Sequence, residues 1–367
     1  MKPNVGIEEV EEIIKVFESG HLAQGPKVKE FESLFAEYTK SRHAIATTSC
    51  TAALELALQT LGVKAHDEVI VPDFTFPATG NVVFSANATP VLVDVDYSSY
   101  NIDPDEVKRA ITKRTKAIVV VHLFGHSAEM DPLVELAQEH DCYIVEDAAC
   151  SLGALYKGKP TGTLGDIACF SFHPRKILTT GEGGMLVTND DLLAEKAAAL
   201  KDHGKLAVNG KASFVYPGHN YRMSDVLAGI GIAQLRKFDS MLEKRRELAK
   251  KYTEMLLKED MGIMPPSEAS WARHTFQSYV TYVKSEYGCS RDECISALKE
   301  KYGVETQMGT YALHMQPAYS KVVGSNKSRL KRSRNLYLNT LTLPLYHTMS
   351  VTEQEYVVNA LKKLKKS

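Results

Sequence analysis

The sequence predicts an α/β protein: a large unit with a mostly parallel seven-stranded sheet, then a smaller C-terminal α+β unit. Seven short apolar runs recur at residues 43–48, 68–72, 90–94, 116–122, 142–146, 167–172 and 185–188. Helix-patterned segments such as 51–61 and 131–140 separate most of the first five, and strands alternating with helices imply right-handed crossovers between parallel neighbours. A chain of 367 residues can also bury one large core and a smaller second one.

Taken in order, the first twenty residues are charged and helix-patterned, without the apolar stretch of a secretory signal. The strand and helix runs then alternate up to residue 188. The last two strands are joined by a short Gly-rich link, which also permits an antiparallel strand. From 224 to 257 the pattern is helical almost without a break, turning from apolar (VLAGIGIAQL) to charged (EKRRELAKKY). That change predicts a helix leaving a large unit of residues 1–235 for a small unit of residues 236–367. The small unit shows strand candidates at 276–283 and 303–307 and helix candidates at 290–301 and 352–364.

Charge and cysteine usage exclude several classes. Lys and Arg total 44 against 45 Asp and Glu, giving a net charge of −1 and no long-range pull toward nucleic acid or an anionic membrane. The basic run SRLKRSRNL and the tail KKLKK read as solvated helix faces. No apolar stretch reaches the roughly 18 residues of a membrane helix. The six cysteines lack metal or redox spacing and read as reduced thiols. The expected location is the cytoplasm.

The chemistry concentrates at strand ends, where α/β sheets present ligands. Asp147 closes the run CYIVED, and Lys176 leaves the run IACFSFHPRK before the turn TTGEGG. A lysine amine condenses with a carbonyl, and a buried aspartate keeps a nitrogen heterocycle protonated; pyridoxal phosphate chemistry needs both groups. Taken singly, Lys176 could be solvated surface and Asp147 a helix cap. The segment ATTSCTAALELAL starts a helix with small hydroxyl residues, which suits either a plain N-cap or an anion site using the N–H groups around Cys50 and the Thr51 hydroxyl. Ser171, at the end of a neighbouring strand, favours phosphate. Phe76 either stacks on a planar ring or fills the core, and Cys150 either lines the same pocket or fills it. TTGEGG lacks the Gly-Lys-Ser/Thr ending of a nucleotide-binding loop. His122 and His126 have helical metal-pair spacing but follow a strand and flank Gly125.

The ordered motifs SCTAALELAL, VPDFTFPAT, TPVLVDVD, VEDAACSLGA, GDIACFSFHPRKILTTGEGGM, HNYRMSDVLAGIGIAQL and LPLYHTMS are similar to those of the DegT/DnrJ/StrS sugar aminotransferases. The resemblance runs from about residue 20 almost to the C-terminus. It implies a fold-type I pyridoxal phosphate enzyme, a homodimer with shared active sites, and a nucleotide-linked keto-sugar as substrate. By position it makes Lys176 the cofactor-bearing lysine and Asp147 the partner of the pyridine nitrogen. Thr51, the backbone of Cys50, and Ser171 become phosphate ligands, and Phe76 the stacking ring; Cys150 and Asn220 are the remaining cofactor contacts. His173, Arg222, Tyr311 and His314 fall to the substrate. Asn220 and Arg222 resemble residues offered to the neighbouring subunit, and the small residues Ala228, Gly229, Gly231 and Ala233 just beyond them suit close packing. The family usually has Gly at the position of Cys50, Gln or His at that of Cys150, and often Trp or Tyr near Phe76. The resemblance further implies transfer of an amino group, from glutamate, to C4 or C3 of a keto-deoxysugar for polysaccharide or glycoconjugate synthesis. A dehydratase or a non-catalytic regulator on the same scaffold is the alternative; related dehydratases carry His in place of the lysine, which here is intact.

Overall fold

The computed structural model describes residues 3–323 and 328–365. Its central sheet is built from β1 (His43–Thr47), β2 (Glu68–Pro72), β3 (Thr89–Val93), β4 (Thr115–Val121), β5 (Tyr143–Asp147), β6 (Ile167–Ser171) and β7 (Gly184–Thr188), in the spatial order β1-β7-β6-β5-β4-β2-β3. Strands β3, β2, β4, β5 and β6 run parallel. β7 is antiparallel to both neighbours, and the link after β6, residues 172–183, holds no helix of the kind that makes a parallel crossover. All seven expected strands are present within a residue or two. They were readable as continuous apolar runs because a sheet covered on both faces buries successive side chains in opposite cores. Val69 and Val71 enter one cluster with Val145 and Cys169, while Ile70 joins Ile118 and Ile144 on the other side.

Three helices cover the β1 end of the sheet. α1 (Ile7–Ser19) and α2 (Pro26–Thr39) pack on the Asp225–Arg236 helix. Asp225 reaches back to cap α2, its carboxylate accepting from the N–H groups of Gly25 at 2.7 Å and Val28 at 3.0 Å. The small residues of the Asp225–Arg236 helix are used inside the chain: a Cβ at Gly231 would lie 2.6 Å from the Phe31 ring. They therefore lend no support to a subunit interface there.

The nearly continuous helical pattern expected over 224–257 is two helices, Asp225–Arg236 and Phe238–Glu259, meeting at Lys237. The second covers a four-stranded antiparallel sheet ordered Ile263–Met264, Tyr279–Val283, Thr340–Leu343, Gln307–Met308. Its core includes Tyr252, Tyr279, Leu298, Leu341 and Leu361. Neither the short strand Ile263–Met264 nor Thr340–Leu343 was anticipated. The latter follows the Lys331–Asn339 helix directly, with no turn residues to announce it. That helix also corrects the reading of the basic run as wholly solvated: Arg332 sits 2.7 Å from Asp103 and 3.3 Å from Glu106. Between the strands the chain returns to the large sheet, with Leu313 and Tyr319 in its core. Among the described residues no helix is long and apolar enough to cross a membrane.

Candidate active site

The parallel strands end together on one side of the sheet, and the loops leaving them carry most of the residues singled out from the sequence. Asp147 is the last residue of β5 and is 5% exposed. One carboxylate oxygen accepts from the Thr79 hydroxyl at 2.8 Å and the other from the Ala149 N–H at 3.2 Å. Thr79 lies on the first turn of α4 (Pro77–Ser85), and its hydroxyl also meets that of Thr75 at 3.0 Å. Burial pushes the Asp147 pKa up, and Thr79, Ala149 and Lys176 offset this only in part. A carboxylate so placed is short of positive partners.

Lys176 stands five residues beyond β6. Its Nζ is 3.1 Å from Cys150 Sγ. Burial of the amine pulls its pKa down, but Cys150, Cys50 and Asp147 outweigh that and hold it above the ordinary lysine value. His173 shapes the turn that presents the lysine: its carbonyl accepts from the Lys176 N–H at 2.8 Å and its Nδ1 from the Arg175 N–H at 3.2 Å.

The helix start lies beside the end of β6. Ser171 pairs with Gly184 of β7, and Gly184 pairs with Thr47 of β1. A Cβ at Gly184 would meet Ser49 and Cys50 backbone atoms at 2.4 to 2.5 Å, so only glycine lets α3 (Cys50–Thr60) begin this close to the sheet. Ser49, rather than Thr51, caps this helix, its hydroxyl accepting from Ala52 N–H at 3.1 Å. Thr51 is exposed on the first turn and Cys50 is buried. Burial raises the Cys50 thiol pKa well above its usual value, so its contribution to an anion is the backbone N–H.

Phe76 is 61% exposed, which removes the core reading. It precedes α4 by one residue, three before Thr79, and its ring meets Tyr311 edge-on at 6.3 Å. Tyr311 is held there by pairing with Thr75. His314 is buried, its Nδ1 2.5 Å from Asp73 and its N–H 2.7 Å from the same carboxylate, so only Nε2 is left for a substrate. Asn220 and Arg222 contact each other: Arg222 donates to Asn220 at 3.1 Å and to Asp202 at 2.6 Å. Backbone pairing of Arg222 with Thr47, and of Tyr221 with Thr48, puts this run next to the loop entering α3. His122 and His126 do not form a pair; His122 meets Glu146 at 2.8 Å, and His126 accepts from the Ala269 N–H at 3.1 Å.

Thr79, Glu146 and Gln277 were missed by the sequence reading. Only Thr79 left a trace, as the hydroxyl residue three positions after Phe76. The donor set fits pyridoxal phosphate: a buried, under-partnered carboxylate for the ring nitrogen, a half-buried amine for the carbonyl, and a helix start beside Ser171 for the phosphate.

Fold and site together define a fold-type I pyridoxal phosphate enzyme. The chain belongs to the DegT/DnrJ/EryC1/StrS aminotransferase family, whose model matches residues 3–362, and is thus a pyridoxal phosphate-dependent aminotransferase. It is similar to the spore coat polysaccharide biosynthesis protein SpsC of Bacillus subtilis, 39% identical over 99% of this chain and 96% of that one. GDP-perosamine synthase of Caulobacter vibrioides is also 39% identical, over 92% of this chain and 90% of its own. Among solved structures, Spr1654 of Streptococcus pneumoniae in its PMP form superposes with a TM-score of 0.93 at 29% identity, covering 100% of this chain and 98% of that one; the same protein is known in a PLP form.

Proposed function

We propose that the enzyme takes an amino group from glutamate and places it on C4 or C3 of a nucleotide-linked keto-deoxysugar, for cell-surface polysaccharide or glycoconjugate synthesis. The observation that carries the chemistry is the convergence of buried Asp147 and half-buried Lys176 at one end of the sheet, with exposed Phe76 and half-buried Tyr311 nearby. The sugar reading is supported by the similarity to GDP-perosamine synthase and to a polysaccharide biosynthesis protein.

Pyridoxal phosphate, when bound, supplies an electrophilic carbonyl carbon and a ring that accepts the electrons released at the substrate carbon. Lys176 Nζ is the amine that would hold that carbon and, once free, would move a proton between substrate and cofactor. Asp147 would keep the proton on the ring nitrogen. The first N–H groups of α3, with Thr51 and Ser171, would bind the phosphate, and Phe76 would cover the ring. Cys150 lies against Lys176 and Asn220 near the phosphate end; His173, Arg222, Tyr311 and His314 face the substrate in this reading. Incubating the holoenzyme with glutamate and a panel of nucleotide-linked keto-sugars should yield an amino-sugar and 2-oxoglutarate from one of them. Consumption of a sugar without use of glutamate would point instead to a dehydratase.

The same reading makes the protein a cytoplasmic homodimer, divided at residues 235 and 236, beside the helix break at Lys237. The exposed apolar side chains Ile7, Phe17 and Phe214 support a partner surface. Asn220 and Arg222 serve the partner's site. Inactive Lys176→Ala and Arg222→Ala chains refolded together should regain activity through heterodimers carrying one intact site. Heterodimers without activity would place both residues in one subunit's site.

A further inference from the structure

The peptide groups on both sides of Lys176 are held by one side chain from the C-terminal part of the chain. Gln277 is 5% exposed. Its amide oxygen accepts from the Ile177 N–H at 3.0 Å, and its amide nitrogen donates to the Arg175 carbonyl at 2.6 Å. Among the described residues no other side chain hydrogen-bonds to either group. The backbone orientation of Lys176 is thus set by one planar amide reading a donor and an acceptor together.

Gln277 is itself fixed from three sides. Arg245, 4% exposed on the Phe238–Glu259 helix, donates Nη2 to the Gln277 carbonyl at 2.7 Å and Nε to the Phe276 carbonyl at 2.5 Å. Phe276 takes a φ of +50°, costly for a bulky L-residue, and is stacked on His274 at 4.0 Å. This kink lets residue 277 turn toward the lysine loop. Thr275 docks on the large unit, its N–H on the Gly125 carbonyl at 3.0 Å and its hydroxyl on the Cys150 carbonyl at 3.3 Å. A Cβ at Gly125 would lie 2.0 Å from the Thr275 hydroxyl, so the glycine leaves room for this contact. Two residues after Gln277 the chain enters the strand Tyr279–Val283 of the smaller sheet.

We infer that Gln277 is a positioning residue for Lys176, bracketing its two flanking peptide groups and linking the lysine to the smaller sheet. The inference rests on Lys176 being the cofactor-bearing lysine. A planar amide anchored by Arg245 and a strained Phe276 is more than ordinary loop packing requires, whereas a lysine that must attack, leave and transfer a proton needs its amine held in one place.

The test uses the holoenzyme and compares Gln277→Met, which removes both hydrogen bonds at similar volume, with Gln277→Glu, which keeps acceptance from Ile177 but cannot donate to Arg175. Thr281→Val is the control, because it removes one buried side-chain bond, to the Leu341 carbonyl at 2.8 Å, within the smaller sheet. Gln277→Met should lower kcat roughly 10- to 100-fold with KM for the keto-sugar within about twofold. It should also move the pH midpoint of the visible cofactor band. Gln277→Glu should fall between it and wild type, and supplies the test if the Met variant does not fold. Thr281→Val should leave the midpoint in place. An unchanged midpoint and kcat in the Gln277 variants, or an equal shift in Thr281→Val, overturns the inference. Borohydride reduction and peptide mapping of each holoenzyme separate the two layers. A label away from Lys176 overturns the reading beneath the inference, while a label at Lys176 with normal Gln277 variants overturns the inference alone.

Discussion

Glu146 and Asp147 are adjacent on β5, both almost completely buried, and their surroundings are opposite. Burial pushes the Glu146 carboxyl up, but His122 at 2.8 Å and the N–H groups of Gly162 and Gly165, both at 2.7 Å, outweigh it and hold the pKa below the ordinary glutamate value. Burial pushes Asp147 up as well, and there the partners do not win. Successive side chains on a strand face opposite ways, so one carboxylate faces a loop that satisfies it and its neighbour faces the pocket. The protein completes the Glu146 carboxylate by itself, and in the proposed reading it leaves that of Asp147 to a cation from outside. An under-partnered buried charge is thus a better marker of a ligand site than burial alone.

The comparison breaks most visibly if the two carboxylates are neutralised in turn. Asp147→Asn should still bind cofactor but lose about 100-fold in turnover, about 3 kcal/mol of transition-state stabilisation; near-normal steady-state kinetics would refute its role. The apoprotein should respond in the opposite sense. Because the folded-state pKa of Asp147 is raised, its contribution to stability is present below the unfolded value of 3.8 and is lost as pH rises through the folded value. Apo Asp147→Asn should therefore melt above apo wild type at neutral pH, and the gap should close as the solution is acidified.

Glu146→Gln should do the reverse. The depressed pKa of Glu146 means that its stabilisation is present above about 4.5 and lost as pH falls through the folded value. The variant should lose about 2 kcal/mol at pH 7, seen as a lower denaturant midpoint, with turnover at saturating cofactor within about threefold of wild type. A drop in turnover as large as that of Asp147→Asn would show that both carboxylates belong to the chemistry. Thr79→Val sharpens the picture at smaller scale. Removing the hydroxyl 2.8 Å from Asp147 should cost about 1 kcal/mol, near fivefold in kcat, with Thr79→Ser retaining most of the activity.

The same contrast explains what could be read in advance. β2, β4, β5 and β6 were legible because central parallel strands are unbroken apolar runs, and Asp147 and Lys176 because each is a charged group where such a run stops. Thr79 and Gln277 were not. Their partners lie 68 residues away at Asp147 and 100 residues away at Ile177, and no local period or motif encodes a contact across that distance. Glu146 looked like the end of an apolar strand, since its partners come from the turn beyond it and from His122, just past the end of neighbouring β4. Thr340–Leu343 was hidden by the helix running directly into it.

The central claim, that Asp147 is left unsatisfied so that it can hold a proton on the cofactor's ring nitrogen, is tested most directly by reconstituting the enzyme with pyridoxal phosphate labelled with nitrogen-15 in the ring and recording the ring-nitrogen chemical shift against pH. The wild-type holoenzyme should show a protonated nitrogen from about pH 6 to pH 9, several pH units beyond the range where Asp147→Asn retains that proton. The same unprotonated shift in both proteins at pH 7 would contradict the account.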